Sequence, residues 1–396
     1  MAGRRKSPID TEPTAHDAPA PFAKKSSLSD IRVSLLAWFR QGHRDLPWRK
    51  ERDPYAIWIS EIMLQQTRTE TVKGYFARFV ARFPTVSSLA AAPLDDVLSL
   101  WSGLGYYSRA RNLHKAAQQI RDLHHGEFPT EPAAIAALPG IGPYTAGAIR
   151  SIALGQSAPI LDGNVIRVLS RLFLLLQRPE TAAGKRMYWS LAESLLPAPT
   201  GSAPRNDPGD LNQSLMELGA TVCLPRRPIC LSCPLSTYCE ARRVGNPEDY
   251  PPAKAQRAVP TVKNVSLILL CDADVLLLRR PELGLWGGLW EPPTLALDEG
   301  ETEQAGLLRL GKDRLGITLP VEKARPLAPF THVLTHRIMR FAPYVLSVPS
   351  LPMLRLDGYT AQRLLRPDSP QSIGLSAWVS SLLARVVEDS SQPGLF

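Results

Sequence analysis

Four of the five cysteines in this chain of 396 residues lie between positions 223 and 239. They are Cys223, Cys230, Cys233 and Cys239, in the pattern C-x6-C-x2-C-x5-C. Four thiolates this close can surround one metal centre, and free reduced thiols rarely cluster in this way. The spacing also argues against a secreted disulfide framework. The backbone here is therefore predicted to wrap a metal centre, and on chemistry alone zinc and a [4Fe–4S] cluster are comparable candidates. Cys271 stands apart in a predicted strand and is expected to be a buried small apolar residue.

The composition is that of a globular protein with a basic balance. Hydrophobic residues make up 44% and charged residues 21%, and the formal net charge is +9. A basic chain favours a polyanionic partner. No apolar run is long enough to span a bilayer, and no apolar signal core follows Arg4, Arg5 and Lys6. We expect a cytoplasmic protein with no membrane partner.

Composition breaks divide the chain into segments. Residues 1–28 are rich in Pro, Ala, Ser and charge and are predicted to be a disordered tail. Residues 29–244 show helical periodicity from Ile31, a loop at 46–49, a second helix from about Tyr55 to Phe79 and short helices to about Arg178. A loop-like insert follows at 197–210. The Pro-rich stretch 245–260 is predicted to be an interdomain linker.

The pattern changes after the linker, where we place a second domain at 261–390. Residues 262–270 and 275–280 are short β-rich runs, and the Asp-Ala-Asp between them predicts a hairpin. A glycine–tryptophan loop, a helix near 301–315 and further strands to about Val348 follow. The predicted fold class is an all-α domain followed by an α+β domain.

The stretch LPGIGPYTAGAI at 138–149 reads as a helix, a Gly-rich hairpin and a second helix that begins at Pro143. Gly140 and Gly142 flank the apolar Ile141, and glycine permits a positive φ and a sharp turn. Proline suits the first helical position, and backbone N–H groups near such a helix start can bind a phosphate. The stretch resembles the helix-hairpin-helix DNA-binding element.

Two carboxyl groups are candidates for chemistry. Asp162, in the LDGNV segment, matches the aspartate that defines the helix-hairpin-helix glycosylases of base excision repair, although on spacing alone it is as readily a helix cap. Glu61, in SEIMLQQT, lies on a strongly apolar helix. It therefore either points outward, as an isolated glutamate usually does, or is buried with a raised pKa.

SEIMLQQT closely resembles the motif of the adenine DNA glycosylases, the MutY family. The match extends to PWR at 47–49, GLGYY at 103–107, the hairpin, LDGNV, NQSLME at 212–217 and the cysteines, over about 31–348. The resemblance implies a helix-hairpin-helix glycosylase domain at 29–244 with a [4Fe–4S] cluster loop at 223–239. It also implies a monomer that removes adenine opposite 8-oxoguanine or guanine in double-stranded DNA, and hence a place at the nucleoid.

The resemblance implies a division of roles. Glu61 protonates a ring nitrogen of adenine, and an ionised Asp162 stabilises the oxocarbenium-like sugar. Asn164 and Tyr144 match positions that hydrogen-bond around the aspartate, although Asn164 is equally a plain helix cap. The endonuclease III branch has a lysine where Tyr144 stands, and that lysine cuts the strand through a Schiff base. The implied reaction is therefore monofunctional.

The resemblance also implies contacts with DNA. The glycosidic bond is buried in the duplex, so the target base must leave the stack. Some of the implied contact residues could instead have an ordinary structural role. Leu64 and Leu104 would be core residues in most helical proteins, and Arg226 and Arg227 would form a solvated basic loop. The residues that match duplex-entering positions are Gln66, Thr67, Leu104 and Tyr106. Those that match the adenine pocket are Arg49, Trp48, Leu64 and Glu217. Those expected at the DNA backbone are Gly140, Gly142, Arg226 and Arg227.

The second domain resembles the MutT-like, Nudix-fold domain of the same family. No magnesium-binding box lies between Gly288 and Gly316, so the fold is expected to be kept and the hydrolase lost. Phe330, Thr331 and His332 match the family loop that touches 8-oxoguanine. An oxidised-pyrimidine glycosylase with lyase activity, a DNA damage sensor without catalysis and a nucleotide hydrolase are the alternatives. Tyr144, the two carboxyl groups and the missing box respectively count against them.

Overall fold

The computed structural model describes residues 25–197, 207–253, 258–368 and 373–390. Most of the predicted tail, 198–206 of the insert and 254–257 of the linker lie outside these ranges. The chain forms two compact units: Met1–His43 with Leu161–Pro252, and Arg44–Ile160 with Ala253–Phe396. The domain boundaries derived from the sequence remain predictions. Within the described residues, every helix is too short or too polar to cross a membrane.

The described part of the first unit is helical. Its helices pack as α1 on α11, α9 on α11 and α10 on both α1 and α9. Their buried apolar side chains, among them Leu35, Leu169, Tyr188 and Leu215, form the core. The helices are α1 (Lys25–Gln41), α9 (Gly163–Leu172), α10 (Ala182–Leu195), α11 (Asp207–Thr221) and α12 (Glu240–Arg243), with 3-10 turns at Cys230–Ser232 and Pro247–Asp249.

Two sequence predictions are wrong in this unit. Helix α1 begins at Lys25, inside the predicted tail, and α11 begins at Asp207, inside the insert predicted to be a loop. The cause for α11 is a charge pair: Arg40 in the last turn of α1 binds Asp207 at 2.5 Å and Asp210 at 2.8 Å. Acidic side chains in a first helical turn complement the helix dipole, and here they also fix α11 to α1.

The second unit begins with helices. The predicted helix from Tyr55 to Phe79 is two helices, because the chain turns at 65–68, where Gln66 has a φ of +58°. The predicted loop at 46–49 contains a 3-10 turn, Pro47–Arg49. The helices are α2 (Pro54–Leu64), α3 (Thr69–Arg82), α4 (Val86–Ala91), α5 (Leu94–Trp101), α6 (Ser108–Leu123), α7 (Pro132–Ala136) and α8 (Pro143–Ala148), the last continuing as a π-helix at Ile149–Ala153.

The same unit contains a mixed sheet. The main strand order is β3-β2-β1-β7-β5, with β4 pairing β1, β6 pairing β7 and β8 pairing β2. Strands β1 and β7 are parallel, and the other pairs are antiparallel. The predicted hairpin is confirmed, since Cys271 pairs with Asp274, but Cys271 is only half-buried because it ends the strand. The strands are β1 (Thr261–Cys271), β2 (Asp274–Arg279), β3 (Trp290–Glu291), β4 (Thr294–Ala296), β5 (Arg325–Pro326), β6 (Phe330–Leu334), β7 (Arg337–Val348) and β8 (Ala361–Leu365).

A helix covers each face of the sheet. Val265, Leu267 and Leu269 of β1 pack with residues of α13 (Glu303–Leu310) and the π-helix Gly311–Leu315. Ile268, between them, packs with α14 (Ala377–Ser390) on the other face. Alternate residues of a strand point to opposite faces, and a sheet covered on both faces is apolar on both. Strand β8 and α14 lie beyond Val348, where the sequence analysis predicted no element.

Candidate active site

The predicted hairpin lies between α7 and α8. Gly140 has a φ of +80°, and a β-carbon there would lie 2.7 Å from Cβ of Asn112, so the turn requires glycine. Gly142 was expected to share this conformation, but its φ is −91° because it is the extended residue that precedes α8. Pro143 takes the first helical position, as predicted. The cap glycine has no side-chain acceptor for the first turn of α8, which is the arrangement found at anion-binding helix starts.

Glu61 lies in a helix that is buried on every side. It is 4% exposed, and its neighbours Ile57 to Met63 are all buried. Asp53 starts this helix by accepting hydrogen bonds from the N–H groups of Tyr55 and Ala56, and Pro54 follows it. Of the two alternatives that the sequence left open for Glu61, the structure shows the buried one.

Tyr144, in the first turn of α8, donates a hydrogen bond from its hydroxyl to Oε2 of Glu61 at 2.6 Å. Next to it, Thr145 accepts a hydrogen bond from the Gln65 amide at 3.3 Å. The end of α2 and the start of α8 are therefore joined by two side-chain bonds. The resemblance placed Tyr144 beside the aspartate; this bond connects it to the glutamate, which lies 83 positions earlier in the chain.

A buried arginine that the sequence analysis missed supports this region. The guanidinium of Arg109 donates to the carbonyl oxygens of Ile62, Met63 and Gln65 at 2.7, 2.9 and 2.7 Å. It also donates to the carbonyl of Gly105 at 3.0 Å. Burial lowers the pKa of Arg109 to about 10. The segment after Glu61 and the turn at 103–106 are thus held by one side chain, and an arginine among the buried residues of α6 is the signal that could have revealed it.

The residues predicted to enter DNA differ in exposure. Gln66 is exposed and Thr67 half-buried. In the turn at 103–106 Tyr106 has a φ of +50° and is 44% exposed, whereas Leu104 is 6% exposed. Leu104 is therefore a core residue, the alternative that the sequence left open. In the predicted adenine pocket, Trp48 is buried against Phe76, Arg49 donates to the Arg44 carbonyl at 3.2 Å and Leu64 is half-buried.

Asp162 belongs to the first unit and caps α9. Its Oδ1 accepts a hydrogen bond from the Val165 N–H at 2.7 Å, and its Oδ2 accepts one from the Asn164 amide at 2.9 Å. Burial raises the pKa of Asp162, while the bonds from Val165 and Asn164 and the charge of Arg167 oppose that rise. Asp162 is thus a helix cap, and Asn164 binds it as the resemblance implied. Glu217, on α11 of the same unit, is buried.

An arginine connects the Asp162 region to the cysteine segment. Arg167 donates to Oδ1 of Asn164 at 2.9 Å and to the carbonyl oxygens of Cys223 and Gly219 at 2.8 and 2.7 Å. One turn further along α9, the buried Arg171 donates to the carbonyl of Leu224 at 2.6 Å and lies 3.4 Å from Sγ of Cys223.

Cys223, Cys230, Cys233 and Cys239 line one small cavity together with Arg171. Burial, together with the nearby thiols, raises the pKa of Cys233 to about 11, so a thiolate there needs a compensating positive charge. Among the described residues no group of His, Cys, Asp or Glu is arranged around a single metal ion. Four cysteine sulfurs that line one cavity are a donor set that can ligate a cluster as well as a single ion. Arg226 and Arg227 are exposed, and the Arg227 backbone N–H is bound by Glu248 at 2.9 Å.

The segment expected to be the 8-oxoguanine loop is strand β6. The Phe330 ring stacks on Phe341 in the core, and Thr331 points to the opposite face from His332. The turn after this strand contains a second Thr-His pair, Thr335 and His336, and the Thr335 hydroxyl is hydrogen-bonded to the Tyr106 hydroxyl. The sequence analysis missed this pair, although the repeated dipeptide was a visible signal.

A cavity of about 340 Å³ lies beside this turn, within the second unit. Of the predicted loop only His332 lines it, together with Tyr106, Trp286, Thr335 and His336. Its lining is mixed: aromatic rings from Tyr106 and Trp286 stand beside polar groups from the turn and from the buried Arg111 and Ser376.

Known proteins resemble this chain over both segments. The model of the HhH-GPD superfamily base excision DNA repair protein matches residues 59–193, and that of the NUDIX domain matches residues 264–385. The adenine DNA glycosylase of Homo sapiens is 34% identical, over 94% of this chain and 76% of its own length. That of Buchnera aphidicola subsp. Acyrthosiphon pisum is 33% identical, over 88% of this chain and 95% of its own. A solved thermostable thymine-DNA glycosylase is 30% identical, over 55% of this chain and 98% of its own, with a TM-score of 0.50.

These matches confirm the resemblance and the fold class: a helix-hairpin-helix glycosylase region followed by an α+β Nudix-like domain. They also confirm that the protein is a DNA glycosylase and not a sensor without catalysis. The chain belongs to the adenine DNA glycosylase family.

Proposed function

We propose that this enzyme, as a monomer, removes adenine mispaired with 8-oxoguanine or guanine in double-stranded DNA and leaves an abasic site. The observation that carries the proposal is the hydrogen bond from Tyr144 to Glu61. It joins a buried carboxyl group to the first turn of the helix that follows the hairpin. The acid is therefore held next to the helix start that would bind a DNA phosphate. The relatives that are named adenine DNA glycosylases support adenine as the base removed.

Glu61 supplies the proton in this proposal. A protonated carboxyl group has one O–H donor and one carbonyl acceptor. In this proposal Oε1 delivers the proton, because Oε2 accepts the hydrogen bond from Tyr144. Transfer of that proton to a ring nitrogen of the flipped adenine lets the base leave as a neutral molecule.

Asp162 supplies the anion. As the N–C bond breaks, positive charge grows on the sugar, and a fixed carboxylate stabilises it. The Val165 N–H and the Asn164 amide bind the charged form of Asp162 and so oppose the effect of burial on its pKa. Water then adds its hydroxyl to the sugar and gives its proton to the Glu61 carboxylate, which restores the acid. The addition occurs directly or after a transient bond from Asp162 to the sugar has formed and broken.

Tyr144 makes the reaction monofunctional. Its phenol hydroxyl cannot form the Schiff base that a lysine forms, so the strand is not cut by elimination. The wild-type protein should therefore give no efficient borohydride-trapped adduct with substrate DNA, whereas Tyr144→Lys should gain a trappable fraction.

The DNA contacts follow from what is exposed. We propose that the hairpin with Gly140 and Gly142 and the loop with Arg226 and Arg227 bind phosphates. Tyr106, the one aromatic among the predicted duplex-entering residues, is 44% exposed and would enter the stack. Gln66 and Thr67 would lie near the extruded base, with Leu104 supporting Tyr106 from the core. The residues that the resemblance assigns to adenine recognition are Arg49, Trp48 and Leu64 in the second unit and Glu217 in the first.

We propose that the Nudix-like domain reads the base opposite adenine. The cavity lined by Tyr106, His332 and Thr335 supports a site for a planar base with polar groups on its edge. Thr331 and Phe330, named from the resemblance, would act through the strand that presents this turn, because neither lines the cavity.

Four cysteines and a neighbouring arginine fit an iron–sulfur cluster, which would be held by Cys223, Cys230, Cys233 and Cys239. Its role here would be to fix the loop that contains Arg226 and Arg227. The purified protein should contain iron and acid-labile sulfide in equal amounts, about four of each per chain. Zinc without sulfide would refute this assignment.

The substrate is tested by incubating the purified protein with duplexes that contain A opposite 8-oxoguanine, A opposite guanine, thymine opposite guanine, or thymine glycol. Each product is analysed with and without alkali. We expect alkali-dependent cleavage at adenine in the first two duplexes, faster opposite 8-oxoguanine. Alkali-independent cleavage at thymine glycol would favour the lyase alternative.

A further inference from the structure

One loop on the rim of the cavity has an unusual backbone. This glycine–tryptophan loop, residues 283–289, contributes Gly284 and Trp286 to the cavity lining. Gly284, Trp286 and Gly288 have φ values of +93°, +55° and +74°. The left-handed region costs glycine little, but for a bulky residue such as tryptophan it is strained and persists only where the surroundings enforce it.

The support comes in part from helix α6. Arg111 is 9% exposed, and its Nη1 donates a hydrogen bond to the Gly287 carbonyl oxygen. Its Cδ lies 3.9 Å from the position that a β-carbon of Gly288 would take. A β-carbon on Gly287 would lie 2.2 Å from the carbonyl oxygen of Glu282. The loop is therefore folded tightly on itself at the residue to which Arg111 donates its hydrogen bond.

We propose that Arg111 is a positioning residue for recognition of the base opposite adenine. Arg111 lines the cavity itself, in the first turn of α6, five positions after Tyr106. It binds the loop that carries Trp286, so it fixes the two aromatic walls of the cavity relative to each other. The inference rests on the proposed reading of the opposite base at this cavity. The proposed role of Arg111 is to set the shape of the site for the base opposite adenine, and it involves no contact with the reacting adenine.

A direct contact between Arg111 and a DNA phosphate is the alternative role. Its burial and its bond to Gly287 oppose that role, because phosphate ligands need an exposed cationic head. Four positions along α6, Lys115 forms an ion pair with Glu282 at 3.4 Å, and both side chains are 56% exposed. Exposed pairs contribute little, so Lys115 is a matched control on the same helix and loop.

The test compares wild type, Arg111→Met and Lys115→Met in single-turnover excision from A·8-oxoguanine and A·G duplexes at saturating enzyme. Methionine keeps an apolar stem against Gly288 and removes the donor. We expect Arg111→Met to lower the preference for A·8-oxoguanine about tenfold, the size of one lost charge-assisted hydrogen bond, while the A·G rate stays within about twofold. Lys115→Met should keep the preference.

Each other outcome is decisive. An unchanged preference in Arg111→Met, or an equal loss on both substrates, overturns the positioning role. If the salt dependence of duplex binding corresponds to about one released ion fewer for Arg111→Met than for wild type, Arg111 contacts a phosphate instead. A wild-type enzyme without any preference for 8-oxoguanine refutes the proposed reading function itself, and the inference with it. A wild-type preference that Arg111→Met keeps in full refutes the inference alone.

Discussion

Glu61 and Asp162 both carry a carboxyl group, but Glu61 lies near the end of one helix and Asp162 at the start of another. Glu61 lies in the last turn of α2 (Pro54–Leu64), where the backbone N–H groups are already used within the helix. Its observed donor is a side chain, the hydroxyl of Tyr144. Asp162 is the residue before α9, where the first N–H groups have no partner in the helix, and it accepts one from Val165.

The comparison shows how position can divide two roles between identical groups. A carboxylate at a helix start receives N–H donors and the positive end of the helix dipole, which favour its charged form. For Asp162 these act against burial, which raises its pKa. A carboxyl group in an apolar helix with a hydroxyl donor is suited to hold a proton and deliver it. We therefore expect the two regions to fail in different ways when altered.

The largest expected effect comes from Glu61→Gln. Glutamine keeps the size of the side chain and can accept from Tyr144, but it has no proton to transfer. Single-turnover excision from A·8-oxoguanine should fall by about 10²–10⁴-fold, the usual contribution of a general acid. Binding of the same duplex, measured by anisotropy, should change little. A near-normal excision rate would show that Glu61 is not the general acid, and the two carboxyl groups would then not divide the roles of acid and anion.

Tyr144→Phe should have a smaller effect. It removes the hydroxyl that holds Oε2 of Glu61 and keeps the ring. We expect the excision rate to fall about tenfold, since one hydrogen bond to a carboxyl group is lost. Thr145→Val, which removes the bond from Gln65 in the same turn of α8, is the control and should cost less. Equal losses in both variants would indicate that Tyr144 only supports the packing of the hairpin.

The smallest expected effect is a shift in pH dependence. Asn164 lowers the pKa of Asp162 through its amide, against the rise caused by burial. Asn164→Ala removes that bond, so the pKa of Asp162 rises further and less of it is ionised at a given acidic pH. The acidic limb of the excision rate should therefore move to higher pH, with a lower rate than wild type at each pH on that limb. A limb that moves to lower pH, or not at all, would show that Asp162 is not the ionising group.

Local chemistry explains which features the sequence could predict. The cysteine cavity, the start of α8 at Pro143 and the cap at Asp162 follow from residues that are neighbours in the chain. The contact between Tyr144 and Glu61 joins residues 83 positions apart, and only the resemblance suggested that either acts in the reaction. The turn at Gln66 has no glycine or proline to announce it; the carbonyl bonds of Arg109 hold it from another helix. Tertiary contacts of this kind leave no local pattern. Thr335 is a different case, because the repeated Thr-His dipeptide was visible in the sequence and only its bond to Tyr106 was not.

The most direct test of the division of roles uses a base that needs no proton. Adenine methylated on a ring nitrogen is already a cation, so it can leave without general acid catalysis but still generates positive charge on the sugar. Its excision opposite 8-oxoguanine is measured for wild type, Glu61→Gln and Asp162→Asn, with the wild-type rate as reference. We predict that Glu61→Gln regains most of the wild-type rate on this base, whereas Asp162→Asn, which keeps the cap but loses the charge, does not. Equal defects of the two variants on the methylated base would contradict the assignment of proton and anion to different carboxyl groups.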